Sequence, residues 1–200
     1  MYTDPDGMAP RNMSSKNREL YISEIEKWAD YNKKTNKMGL PNSYDCADVA
    51  VYLYGKGIEL TDTGLSTSNL LHNGNALPYV SAISSTDFFK EQTSNIDFYS
   101  DTSFNNPNVE VGTLMVWKGP GYDPKTETGW DGHVATVVGV TRDKNNDVTN
   151  IKIIQGHTGG DRTEVVDITS QADLNKYKGT FLGFGEIGAG ATLEQPAIEK

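Results

Sequence analysis

Hydrophobic positions change their rhythm midway along this chain, and the change predicts its architecture. From about Ser15 to Lys33, Tyr21, Ile25 and Trp28 recur at helical spacing with Ile22 and Ala29 beside them, while Lys, Glu and Asp fill the remainder. That is the pattern of an amphipathic helix lying on a domain. A loop from Asn36 to Asn42, punctuated by Gly39 and Pro41, delivers the chain to a second helical pattern. There Asn42, Ser43 and Asp45 are capping types, Ala47, Ala50, Val51 and Tyr54 form one apolar face, and Val49 and Leu53 supply part of another. Gly55 and Gly57 can end it. Polar residues follow, with short apolar pieces at Leu70-Leu71 and at Phe88-Phe89, the latter behind a Ser84-x-x-Asp87 capping box. Both predict small helices walling a cleft, and Asn95 to Asn108 predicts a polar loop.

Beyond that loop the period shortens to that of strands. Val111 to Trp117 predicts a short buried strand ended by Gly119-Pro120-Gly121, and a loop from Tyr122 to Gly132 leads into His133 to Val140. The latter run is apolar on both faces, as expected of a central strand. A polar turn, Arg142 to Asp147, precedes a strand from Val148 to Gln155, and two more are predicted at Glu164 to Ile168 and Thr180 to Phe184. Helices first and an antiparallel meander afterwards define an α+β domain, with the Cys46 helix packed on the sheet. Residues 1–13, rich in Pro, Gly, Met and Asp, predict a linker or tail; 14–187 form the domain, and 188–200 a second tail.

The 200 residues suffice for one core without disulfides or metals. A net charge of −9 offers no basic patch for phosphates, which argues against nucleic acid or an anionic membrane as partner. No apolar run reaches membrane-spanning length, and the first residues carry neither a basic leader nor an apolar core of signal-peptide type. Export would therefore use information outside this chain. The single cysteine excludes an intramolecular disulfide and leaves a thiol for chemistry.

Cys46 falls in the first turn of its helix, where backbone N–H groups and the positive dipole end favour a thiolate. By itself the stretch fits a small buried thiol at least as well as a nucleophile. The imidazoles change the balance. His133 interrupts an apolar central strand, where burial demands a polar partner. A hairpin centred near Asn145 sets it opposite His157, or, in the neighbouring register, opposite Gln155; these two share one face of their strand. Either could hold the tautomer and orientation of a general base. If the helix tip packs against that face, the imidazole would take the thiol proton and backbone N–H groups would stabilise the oxyanion. His72, in Leu-Leu-His-Asn-Gly, reads as a helix C-terminal residue without a role. A metal site of Asp131, His133, His157 and Asp161 can be drawn, but it lacks a ligand-spacing signature. No cofactor is expected.

Tyr44-Asp45-Cys46 opening a helix, Val111 to Trp117, Gly132-His133-Val134-Ala135-Thr136-Val137-Val138, Gln155-Gly156-His157 and Phe181-Leu182-Gly183-Phe184 resemble the CHAP and NlpC/P60 group of papain-like cysteine amidases and peptidases. Their order and spacing are more similar to CHAP domains. The resemblance implies a papain-like fold, Cys46 as nucleophile, His133 as base, and Gln155 or His157 as the orienting third residue. It places Tyr44 and Asp45 as oxyanion support and implies hydrolysis of amide bonds in bacterial peptidoglycan. The chain departs from the pattern in having Gln155 where an acid is usual, a longer separation between Cys46 and His133, and no cell-wall-binding repeat. Near the start, Asp4-Pro5-Asp6-Gly7 resembles the Asp-Pro-x-Gly signature that precedes the variable toxin tip of Rhs/YD-repeat polymorphic toxins. That likeness implies a secreted antibacterial toxin domain, delivered to a target-cell periplasm and neutralised in its producer by an immunity protein. Two other readings are a thiol protease or deamidase acting on a protein, and a non-catalytic binding module on the same scaffold.

Overall fold

The computed structural model describes residues 15–35, 46, 49–50, 52–53, 71–72, 75–76, 96–123, 125–126, 128–156 and 163–187. Helix α1 (Ser15–Glu26) runs into a 3-10 turn at Lys27–Asp30, and a second such turn spans Lys33–Thr35. The expected single helix to Lys33 therefore ends early, and the tighter turn rotates Trp28 into the core. Cys46, Val49, Ala50, Tyr52 and Leu53 lie on a second helix, α2.

The described strands are all antiparallel, so the α+β class holds. A two-stranded ribbon pairs β1 (Leu71–His72) with β2 (Asn75–Ala76). This corrects the expected helix end at His72, which is a strand residue paired with Asn75. The expected helix at Phe88-Phe89 lies outside the described residues.

The main sheet contains β3 (Ile96–Phe98), β4 (Leu114–Asp123), β5 (Thr128–Arg142), β6 (Val148–Gln155), β7 (Glu164–Ile168) and β8 (Thr180–Ile187), in the order β3-β8-β4-β5-β6-β7. Strands β4 to β7 form the expected meander, and β8 crosses back to pair with β4, carrying β3 on its outer edge. Three expectations are corrected here. Gly119-Pro120-Gly121 does not end β4: the register shifts between Lys118 and Gly121, after which Tyr122 pairs with Gly129. The predicted loop Tyr122 to Gly132 is thus largely a hairpin extension. Ile96–Phe98, placed in a loop, is an edge strand. A short helix, α3 (Gln171–Lys176), was not expected at all; Ser170 caps it by accepting from the Asp173 amide at 3.1 Å.

Side chains alternate across the sheet and build two cores. On one face Val138 and Ile154 pack with Val49, Tyr52 and Leu53 of α2 and with Tyr21, Ile25 and Trp28. Beneath the other face Met115, Trp117, Ala135, Val137, Ile153 and Phe184 enclose Leu174 of α3. Burial of each large side chain contributes about 1.5–3 kcal/mol, which is what holds α2 and α3 on their respective faces. Near the site the β5–β6 register is Thr136↔Ile154 and Val137↔Ile153, then shifts at Val138.

Candidate active site

His133 lies directly opposite Trp117 in the β4–β5 ladder, on the face that α3 covers. It is only 6% exposed. Its ring lies 5.9 Å from the Trp117 ring and 6.3 Å from that of Tyr177, centroid to centroid. Trp117 is held in turn by an indole N–H donated to the Leu174 carbonyl at 2.9 Å. The capped start of α3 thus fixes Leu174, and through it the aromatic wall behind His133.

The imidazole Nε2 is hydrogen-bonded to the Oε1 of Gln155, a residue with no exposed surface. The other end of the amide donates to Glu164 Oε1 at 2.8 Å and to the Tyr177 hydroxyl. Gln155 and Glu164 are partners in the β6–β7 ladder, which puts both side chains on one face. Burial raises the Tyr177 hydroxyl above the ordinary phenol range, and the Glu164 carboxylate raises it further; the hydrogen bond from Gln155 opposes both.

For a neutral imidazole this arrangement assigns the proton. Gln155 Oε1 only accepts, so Nε2 carries the hydrogen and Nδ1 keeps the lone pair. An imidazole in that tautomer can take a proton at Nδ1 and return it, which is the work of a general base.

The sequence-predicted residues are therefore distributed as follows. His133 and Gln155 are joined. Cys46 is half-buried on α2. It precedes Val49, Ala50 and Leu53 at the spacing of one helical stripe. The sheet residues which that stripe's core contains, Val138 and Ile154, project to the face opposite His133, Ala135 and Val137. Tyr44, Asp45 and His157 lie outside the described residues, as does Asp161 of the drawn metal site. Among the described residues no cluster of three or more His, Cys, Asp or Glu could hold a metal ion, and no helix is long and apolar enough to cross a membrane.

Glu164, Tyr177 and Trp117 were not foreseen as neighbours of His133. Glu164 sits in a predicted strand, so its pairing with Gln155 was the one available signal; Tyr177 follows a helix too short for a periodic pattern. A separate cleft of about 430 Å³ opens toward the far end of β5, lined among others by Ile22, Glu26, Val111, Val138 and Arg142. Its Arg142 is committed to the carbonyls of Val109 at 2.9 Å and Pro107 at 3.2 Å. The chemistry-bearing groups are at His133, not there.

Comparison of the chain with protein-family models, curated proteins and solved structures finds no match in any of the three.

Proposed function

We propose that this chain is a papain-like, cysteine-dependent amidase or peptidase that hydrolyses amide bonds of bacterial peptidoglycan, with Cys46 as nucleophile, His133 as base and Gln155 as the group that orients the base. The observation that carries the reading is the buried imidazole whose Nε2 is tied to the side-chain oxygen of Gln155. The proposed reaction requires the Cys46 thiol to reach the His133 face of the sheet; there Nδ1 takes its proton, and the thiolate adds to the amide carbonyl. Backbone N–H groups at the start of the Cys46 helix, with Tyr44 and Asp45 as support, hold the oxyanion. The imidazolium then protonates the leaving amine, and water deprotonated at Nδ1 cleaves the thioester. His157, the alternative third residue, lies outside the described residues.

Asp4-Pro5-Asp6-Gly7 supports placing the domain at the tip of a larger secreted toxin that acts in a target-cell periplasm, with an immunity protein as partner. The net charge of −9 fits a role that involves neither nucleic acid nor an anionic membrane surface. Expression in a bacterial periplasm tests the reading: the native chain lyses cells and Cys46→Ala does not, whereas equal toxicity of the two removes it. Digestion of purified peptidoglycan followed by mass analysis separates an amidase from a thiol protease or deamidase directed at protein.

A second reading, a non-catalytic module with an inert thiol, is favoured by one observation. The α2 stripe that includes Cys46 packs with Val138 and Ile154, whose side chains project away from the His133 face. On that reading Cys46 fills space beside the core, and neither form lyses cells.

A further inference from the structure

The hydrolase reading asks that His133 be held in one tautomer, and the hydrogen bonds around Gln155 say what holds it. An uncharged amide can present either end to an imidazole. With its oxygen toward Nε2 the proton sits on Nε2; flipped, its N–H₂ would face Nε2 and drive the proton to Nδ1, which abolishes the base. Gln155 alone therefore does not decide the tautomer. Its other neighbours do. The Glu164 carboxylate has no hydrogen to give, so the end of Gln155 that meets it at 2.8 Å must be the N–H₂. The second amide hydrogen goes to the Tyr177 hydroxyl oxygen. With both hydrogens directed at these two acceptors, the carbonyl end is left facing His133.

We propose that Glu164 and Tyr177 are positioning residues for His133: together they lock the Gln155 amide with its oxygen toward the imidazole and so keep the lone pair on Nδ1. The ladder partnership of Gln155 with Glu164 supplies one acceptor, and the C-terminal end of α3 supplies the other. Neither residue touches the reacting atoms. Each acts through Gln155, and α3 gains a purpose beyond closing the core. The consequence for catalysis rests on the hydrolase reading; the lock itself does not.

The test is the tautomer of His133, read from long-range ¹H–¹⁵N correlations of the ring nitrogens in the full chain about two pH units above the ordinary imidazole value of about 6.5. His72→Asn and His157→Asn forms assign the three imidazoles. The native chain should show His133 as the Nε2–H form alone. Glu164→Leu with Tyr177→Phe removes both acceptors and should give a mixture with the Nδ1–H form, while Glu164→Gln, which restores an acceptor oxygen, should return most of the signal to Nε2–H. Glu164 is exposed, so the single Glu164→Leu form, which leaves Tyr177 alone to hold the amide and should show a smaller but detectable Nδ1–H fraction, keeps the measurement available if the double variant does not fold. An Nδ1–H signal in the native chain overturns the proposal, as does an unchanged pure Nε2–H signal in the folded variants. Alkylation of Cys46 in the same samples separates the two claims. A lock that behaves as expected, beside a thiol indifferent to His133→Ala, retains the lock and removes the hydrolase.

Discussion

Glu164 stands opposite Gln155 across the β6–β7 ladder and accepts a 2.8 Å hydrogen bond from its amide. One of these side chains is exposed and the other has no solvent contact, so the pair carries the reach of the site from the surface to the buried imidazole. The relationship makes Gln155, rather than Glu164, the energetic centre of the network.

Gln155→Leu keeps roughly the volume of the side chain while leaving a buried imidazole N–H and a half-buried phenol short of their partner. Stranding such groups costs about 1–3 kcal/mol each, whereas Glu164→Leu takes the acceptor from only one amide hydrogen of Gln155, whose other hydrogen still reaches Tyr177. Urea unfolding should therefore show Gln155→Leu clearly less stable than Glu164→Leu. Equal losses would contradict the burial of the network.

Tyr177 gives the network a signature at alkaline pH. Its hydroxyl is raised in the folded state by burial first and by the Glu164 charge second. A raised acid stabilises the fold fully below its unfolded value, about pH 10 for a phenol, and loses that contribution as the pH climbs toward the higher folded value. Unfolding free energies measured above about pH 10 should fall more gently in Tyr177→Phe than in the native chain. Matching alkaline slopes would show that the phenol ionises as easily folded as unfolded.

Gly112 ties α1 to the sheet. Its φ of +92° is in the left-handed region, and a Cβ there would overlap the Tyr21 ring. Its amide also donates to the Val137 carbonyl at 2.8 Å. Gly112→Ala should destabilise the domain by at least about 1–3 kcal/mol in chemical unfolding. A neutral effect would mean that α1 does not press on the sheet at this point.

Much of the sheet was legible because its signals are local. The Arg142 to Asp147 turn is closed by Asp143, whose carboxylate accepts from the amides of Asn145 and Asp147 at 2.8 and 3.0 Å. That short polar connection made β5 and β6 partners, and the register at Thr136 and Val137 is the one that an Asn145-centred hairpin sets. Beyond it the shift at Val138 was invisible, since a bulge leaves no mark in a run of valines. The same holds for β4, where glycine and proline signalled an end but the ladder only slips and resumes. Helix α3 buries a single residue, Leu174, which is too little for a periodicity to register. As for the site, a histidine in an apolar strand announced the need for a polar partner, and Gln155 was within the named pair. Glu164 and Tyr177 reach Gln155 through strand pairing and a helix end, relationships that depend on three-dimensional closure and have no sequence spacing of their own.

The central claim is that His133 ionises the thiol of Cys46, and the pH profile of alkylation tests it most directly. An unperturbed thiol titrates near pH 8.5, so iodoacetamide should react with native Cys46 along a curve displaced well below about 8.5, and His133→Ala should move the curve back upward. A native curve at the ordinary thiol position, superimposable on that of His133→Ala, would contradict the account.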